Sequence, residues 1–309
     1  MRDHNKNQWT AAAWTTFATD KNITNSSTAS TMYQMSAADS KDWLLPKNFN
    51  NGIRESLDSD MFPNSTPIVL GLDVTGSMSS VLETVMKRLN DTMVELYNRK
   101  PVTDPQICFM AFGDAYCDRV PIQVTQFETD IRIAEQLSDI YFERCGGGNG
   151  GESYMLPWYI ASRKCKIDSW DKHQKKGFLF TIGDECCHEN LTKDQIKKFI
   201  GDDVDWHLTA EELLSEVSRK WEVYHLIVDP VCSQPVHKNW KNLLGNNALV
   251  VEDINKIPEI IISILELHSG KNVDDVANSW DGSTGIVVKN AIKDLNNITN
   301  ITNTDLVEF

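Results

Sequence analysis

The chain has 309 residues, of which 41% are hydrophobic, 9% aromatic and 24% charged, which is typical of a folded globular protein and excludes wholesale disorder. Its 30 Lys and Arg face 44 Asp and Glu, and a formal net charge of −14 repels the phosphate backbone of nucleic acids. No apolar run approaches the roughly 18 residues of a membrane helix, and the first residues lack the apolar core of a secretory signal. We therefore expect a cytoplasmic protein without nucleic-acid or membrane partners, whose 7 irregularly spaced cysteines stay reduced.

Composition divides the chain into three zones. Residues 1–64 are rich in Ser, Thr, Asn and Asp and weakly periodic, yet aromatic residues are scattered through them: Trp9, Trp14, Phe17, Tyr33, Trp43 and Phe49. We interpret this zone as an irregular N-terminal arm whose rings pack on the main domain or on a partner, with disorder as the alternative. Residues 65–268 alternate strand and helix signals and form the main domain. Residues 269–309 are a polar tail with one short amphipathic helix.

Apolar patterns predict the elements of the main domain in chain order. A continuous apolar run ending at Asp73 is typical of a strand buried on both faces, and helical spacing follows from about Ser79 to Tyr97. Pro121 favours an edge position for the third strand. The remaining predictions are strands at 106–112, 120–127, 177–182, 223–228 and 249–251, and helices at about 131–142, 154–165, 211–217 and 258–267. This alternation predicts an α/β fold with a doubly wound, mostly parallel central sheet flanked by helices.

Polar residues follow three of these strands at their carboxyl ends, where such sheets bind their ligands. They are Asp73, Thr75 and Ser77 after the first strand, Asp114 after the second, and Asp184 and Glu185 after the strand at 177–182. A parallel sheet brings these ends to one edge, where several carboxylates repel each other unless a cation lies between them. Donors that are all oxygen indicate a hard ion, Mg²⁺ first, with Mn²⁺ or Ca²⁺ as alternatives.

Two of these segments resemble a known family. Asp73-x-Thr75-Gly-Ser77-Met78, followed by an amphipathic helix, is similar to the metal-ion-dependent adhesion site of von Willebrand factor A domains. The segment Phe180-Thr-Ile-Gly-Asp184-Glu is similar to a later strand of that family. The resemblance covers about 65–268 and looks closest to bacterial and phage members, whose sequences carry runs like those at 113–118 and 150–154. It implies a Rossmann-like fold in which Asp73, Thr75 and Ser77 hold the ion directly or through water, with Asp184 beside them.

One loop departs from the family's pattern. The family supplies a threonine ligand from this loop, whereas here the loop reads Cys-Gly-Gly-Gly-Asn149-Gly-Gly-Glu152-Ser153. Ser153 or Asn149 could replace the threonine, and Glu152 could add a charged ligand. An extra carboxylate would hold the ion more tightly and attract an acidic partner residue less. As an alternative, the glycines could cradle a phosphate, although the run lacks the Gly-Lys-Ser/Thr of a phosphate loop.

Two classes of function follow from these residues. The first is a protein-binding module, for adhesion or scaffolding, in which the ion coordinates an acidic residue of an unidentified partner protein. No nucleophile paired with a base stands out, so no catalytic residue is expected. The alternative is a haloacid-dehalogenase-like phosphoryl-transfer enzyme with Asp73 as nucleophile, although Val74 replaces the lysine of the similar motif in transport ATPases. We expect the cytoplasm of a bacterium or phage-infected host; the sequence decides neither virion association nor oligomeric state.

Overall fold

The computed structural model describes residues 9–21, 40–142, 150–228 and 233–295. The strands of these ranges are β1 (Arg54–Ser56), β2 (Thr66–Asp73), β3 (Pro105–Phe112), β4 (Ile122–Val124), β5 (Cys165–Ile167), β6 (Gly177–Gly183), β7 (Asn190–Leu191), β8 (Leu208–Thr209), β9 (Trp221–Ile227) and β10 (Ala248–Val250). The α-helices are α1 (Ala11–Asp20), α2 (Ser79–Arg99), α3 (Arg132–Leu137), α4 (Met155–Arg163), α5 (Asp168–Asp171), α6 (Lys193–Gln195), α7 (Ala210–Val217), α8 (Gln234–Leu244), α9 (Ile257–His268), α10 (Val273–Asn278) and α11 (Gly282–Ile292).

Six strands form the central sheet in the order β10-β9-β6-β2-β3-β4. All neighbours are parallel except β4, which runs antiparallel to β3 at the edge, directly after Pro121. This arrangement confirms the predicted α/β fold with a mostly parallel sheet flanked by helices. Leu72 lies opposite both Ala111 of β3 and Ile182 of β6, so the carboxyl ends of these three strands lie side by side.

The central strands read as continuous apolar runs because both faces of the sheet are covered. In β2, Ile68, Leu70 and Leu72 point into one core and Val69 points into the core on the opposite face. The first core also contains residues of α2 and α9, and the second contains residues of α4 and α7. Because the chain turns directly from β2 into α2, the short turn Gly76–Met78 lies at the carboxyl edge of the sheet.

The N-terminal zone contains regular elements that its composition did not indicate. The side chain of Thr10 accepts a hydrogen bond from the backbone of Ala13 at 3.1 Å and begins α1, and β1 pairs in parallel with β5. Trp9 and Phe17 are buried, and Trp14 stacks on Trp9 with a centroid distance of 5.6 Å. In the described residues, rings of this zone therefore pack on the body of the same chain; Tyr33 lies outside those residues.

The polar C-terminal zone also contributes to the core. It forms two helices, α10 and α11, where the sequence indicated one. Val276, Val288 and Ile292 are fully buried and join the core that α2 and α9 share. A few apolar residues at helical spacing suffice for this, although the zone as a whole is polar.

Two further properties concern the described residues as a set. No helix among them is both long and apolar enough to cross a membrane. Their cysteines are free thiols at positions 108, 117, 165, 186 and 187. The other two cysteines of the sequence, at 145 and 232, lie outside the described residues.

Candidate functional site

Asp73 ends β2 and lies at the centre of the candidate site, with no exposed surface. Its Oδ1 accepts hydrogen bonds from the backbone N–H of Thr75 at 2.9 Å and from the Thr75 hydroxyl at 2.6 Å. Its Oδ2 accepts one from the hydroxyl of Tyr154 at 3.1 Å. The pKa of Asp73 is raised to about 7, because the effect of burial, together with the negative charge of Asp184, exceeds the lowering effect of these hydrogen bonds.

The two hydroxyl residues of the motif occupy different surroundings. Thr75 is buried and its hydroxyl is directed at Asp73. Ser77 lies on the exposed turn between β2 and α2, and its hydroxyl forms no hydrogen bond with another described residue. Ser77 therefore offers an oxygen donor at the surface of the sheet edge.

The loop before α4 connects three strand ends through three consecutive residues. The backbone N–H of Glu152 donates to the carbonyl of Cys186, after β6, at 2.9 Å. Ser153 donates its backbone N–H to the carbonyl of Gly113, after β3, at 3.2 Å. Tyr154 reaches Asp73 at the end of β2. The loop thus fixes Glu152 and Ser153 between the segments that carry the other predicted site residues.

Glu152 is a buried carboxylate with an unsatisfied oxygen. The residue is 2% exposed, and its Oε2 has no hydrogen-bond partner among the described residues. Burial and the negative charges around it, among them those of Asp73, Asp114 and Asp118, raise the pKa of Glu152 to about 9. Since a buried polar atom without a partner destabilises a fold, a cation at this oxygen would stabilise it.

Asp114, which the sequence placed at the edge of the site, is fully buried and turned toward its own loop and His188. Its Oδ1 accepts hydrogen bonds from the backbone N–H of Tyr116 at 2.9 Å and from Nε2 of His188 at 3.0 Å. Its backbone N–H donates to Oδ2 of Asp118 at 2.7 Å. Asp114 therefore orders this loop and adds negative charge to the site.

Two glycines permit the close packing of the site. A Cβ atom on Gly183 would lie 1.9 Å from the Tyr154 hydroxyl oxygen, and one on Gly113 would lie 2.1 Å from Oδ2 of Asp118. Any side chain at Gly183 would displace the ring that donates to Asp73. Both positions require glycine because a neighbouring side chain crosses the backbone there.

The structure brings most of the predicted residues to one edge. Asp73, Thr75 and Glu152 are buried there, Asp184 and Glu185 are half-buried in the segment that follows β6, and Ser77 is exposed. Ser153 lies there too, but its hydroxyl accepts a hydrogen bond from the backbone of Ala115 at 2.9 Å. Asn149 lies outside the described residues.

Sequence reasoning assigned no role to Tyr154. The hydroxyl of this buried residue donates to Asp73 and accepts a hydrogen bond from the backbone N–H of Glu185 at 3.3 Å. Its ring packs edge-on against Phe112 at 4.9 Å and Trp240 at 4.8 Å between centroids. No local pattern indicates these contacts, since they join residues from distant segments of the chain.

The residues fit a hard divalent cation by charge and by donor type. Across the described residues, neither Asp73 nor Glu152 pairs with a lysine or an arginine, and His188 pairs with Asp114 instead. No group of three or more Asp, Glu, His or Cys side chains in these ranges has a geometry ready to hold a metal ion. A Mg²⁺ ion here would therefore take one or two carboxylates together with hydroxyl oxygens and water, as this ion usually does in proteins.

Comparison with known proteins adds a distant structural similarity. No protein-family model matches the sequence, and no curated protein matches it. A crystal structure of the pilus adhesin SpaC from Lactobacillus rhamnosus GG, in an open conformation, is similar over 70% of this chain, with 12% identity and a TM-score of 0.42. A second structure of the same adhesin has 11% identity and the same TM-score. The matched part covers 30% and 31% of the two adhesin chains, and a similarity this distant supports no conclusion about this chain.

Proposed function

We propose that this chain is a metal-dependent protein-binding module of the von Willebrand factor A type. The observation that carries the proposal is the unsatisfied, buried carboxylate oxygen of Glu152 close to the charge of Asp73 at the carboxyl edge of the sheet. A divalent cation would satisfy that oxygen and offset the repulsion between the carboxylates.

Several residues at this edge of the sheet would bind the ion or orient its ligands. Asp73 and Ser77 would hold it directly or through water, and Thr75 orients the Asp73 carboxylate through two hydrogen bonds. When bound, Mg²⁺ supplies a positive charge that an oxygen atom of a partner protein can meet. Tyr116, which is 54% exposed on the neighbouring loop, offers an apolar contact beside it.

The burial of Asp73 favours a binding module over the phosphoryl-transfer alternative. A nucleophilic carboxylate must reach the phosphorus atom of its donor, whereas the Asp73 side chain has no exposed surface. No contact of the described residues favours the alternative.

Thermal unfolding with and without Mg²⁺ tests the proposal. We expect Mg²⁺ to raise the Tm of the native chain over that in chelator, by an amount equivalent to about 2.7 kcal/mol at a hundred times Kd. Asp73→Ala and Ser77→Ala should abolish this increase, because each removes a proposed oxygen donor. Ser80→Ala, which changes another exposed serine on the adjacent first turn of α2, should leave it intact.

Ionic strength has to be matched with NaCl, since a chain with a net charge of −14 responds to any added salt. Equal Tm values of the native chain in Mg²⁺ and in chelator, at matched ionic strength, would overturn the proposal.

A further inference from the structure

The loop before α4 contains two residues that could face the ion, and the structure distinguishes them. The Ser153 hydroxyl accepts from the backbone N–H of Ala115 at 2.9 Å and donates to Oδ1 of Asp114 at 3.4 Å. Both bonds direct it to the segment that follows β3. The hydroxyl of Ser153 is thus used in ordering a neighbouring loop.

The backbone of Glu152 is bonded to a different segment from the one that the Ser153 hydroxyl contacts. Its backbone N–H and carbonyl bond to the segment after β6, the first to the carbonyl of Cys186 at 2.9 Å and the second to the N–H of His188 at 3.2 Å. The side chain is 2% exposed and its Oε2 has no hydrogen-bond partner among the described residues. The charges that surround it belong to other acidic residues, including Asp73. A buried carboxylate oxygen in such surroundings is explained if it meets a cation.

We propose that Glu152, and not Ser153, is the ligand that this loop provides to the ion, an inference that rests on the proposed function. Asp73 and Glu152 would then be the two carboxylates that neutralise one divalent cation, and the charge of Asp184, which acts on Asp73, leaves this edge with a net negative charge. An acidic residue of a partner would be repelled from such a site. The partner group that contacts this edge is therefore a neutral oxygen donor, such as an amide, a hydroxyl or a backbone carbonyl.

Calorimetric titration of the 309-residue chain with Mg²⁺ separates the two loop residues. We expect Glu152→Gln to weaken Mg²⁺ binding by about ten-fold or more, and Ser153→Ala to weaken it by less than about three-fold. Glu189→Gln is the matched control, since it removes the same charge from an exposed position two residues after Cys187 and should change little. Glu152→Asp keeps the charge on a shorter side chain and should bind with intermediate affinity.

Water-proton relaxation by bound Mn²⁺, which keeps the divalent charge of the proposed ion, tests the coordination and the chemistry of the partner group. Glu152→Gln should leave about one more water on the ion than the native chain does, because a carboxylate oxygen is replaced by solvent. Added acetate, as the probe for an acidic partner residue, should displace water from the ion in Glu152→Gln and not in the native chain. Displacement of water by acetate in the native chain would overturn the inference of a neutral partner group.

The outcomes distinguish this inference from the proposed function. If the native chain binds no Mg²⁺, the proposed function fails. If the native chain binds Mg²⁺ and Glu152→Gln binds it equally well, the ligand role of Glu152 fails and the proposed function stands. Circular dichroism in chelator confirms folding, and should Glu152→Gln fail to fold, native affinity in Glu152→Asp would overturn the inference while reduced affinity would support it.

Discussion

Among single residues, Asp73 has a pKa on which burial and hydrogen bonding act in opposite directions. Burial opposes its negative charge, and the bonds from Thr75 and Tyr154 only partly compensate. The result is a carboxyl group with a pKa of about 7, instead of its ordinary value of 3.8. Its charge, and with it the attraction of a cation, therefore changes within the physiological range of pH.

This balance predicts how the stability of the metal-free protein depends on pH. Because the pKa of Asp73 is higher in the folded protein than in the unfolded chain, the folded state binds this proton more tightly. The contribution of Asp73 is therefore fully present below pH 3.8 and is lost as the pH rises to about 7. The pKa of Glu152 is likewise raised, from its ordinary value of 4.5 to about 9, so its contribution to stability is also lost as the pH rises. We expect the urea midpoint in chelator to fall between about pH 5 and about pH 8.

Asp73→Asn provides the comparison for this measurement. An amide does not titrate, so the fall in midpoint should be smaller in this variant, with Glu152 accounting for what remains. A midpoint that rises with pH in the native chain, or an equal fall in both proteins, would contradict the assigned pKa of Asp73.

Among the elements, one buried arginine joins β1 and the turns before it to the edge of the sheet. Arg54 of β1 is 2% exposed, and its guanidinium donates to the carbonyl of Trp43 and, at 2.9 Å, to that of Val124 in the edge strand β4. The same group lies 3.6 Å from the centre of the Phe49 ring. A single side chain thus connects β1, β4 and the turns that precede β1.

Replacing this arginine should weaken the contact between β1, β4 and the turns before β1. We expect Arg54→Ala to lower the free energy of unfolding by about 3 kcal/mol, because buried carbonyls lose their donor and a cavity forms beside Phe49. Lys166→Ala is the control on the paired strand β5, where the side chain is exposed, and should stay within about 0.5 kcal/mol of the native chain. Urea denaturation measures both; equal midpoints for Arg54→Ala and the native chain would contradict the role of Arg54.

The elements that could be predicted from the sequence are those with a strong periodic signal. β2, β3, β6 and β9 are buried on both faces and stand out as apolar runs, and the 21 residues of α2 carry an apolar stripe. β1 has three residues and α1 is an Ala- and Thr-rich helix in which only Phe17 is buried, so neither produces such a signal. The edge strand β4 was placed correctly through Pro121 but is shorter than expected.

In the candidate site, too, some residues could be predicted from the sequence and others could not. Asp73 and Asp184 could be predicted as site residues because they lie at or just after the ends of predicted strands. The carboxyl ends of parallel strands lie at the same edge of a sheet. The contact between Tyr154 and Asp73 could not be predicted, since it depends on the ring passing over Gly183 of another strand. The choice between Glu152 and Ser153 also required coordinates, because adjacent residues of one loop point to different strand ends.

At the scale of the whole molecule, the domain extends beyond the boundary at residue 268 that periodicity indicated. Arg99, at the end of α2, forms an ion pair with the fully buried Glu266 of α9 at 3.1 Å. Its guanidinium lies 3.5 Å from the centre of the Trp280 ring, which sits between α10 and α11. The indole N–H of Trp280 donates to the hydroxyl of Ser263 at 2.8 Å. Helices α10 and α11 are thereby joined to α9, the helix that closes the predicted domain.

Trp280 should therefore stabilise the domain as a whole. We expect Trp280→Ala to lower the free energy of unfolding by about 3 kcal/mol, since it removes a half-buried ring, its hydrogen bond to Ser263 and the surface on which Arg99 lies. Ile286→Ala changes an exposed apolar residue on the adjacent helix α11 and should have little effect. Thermal unfolding should show one transition that shifts as a unit in Trp280→Ala, because the helices on both sides of residue 268 share one core. A separate early transition, with the main one unchanged, would instead mean that α10 and α11 unfold independently of the sheet.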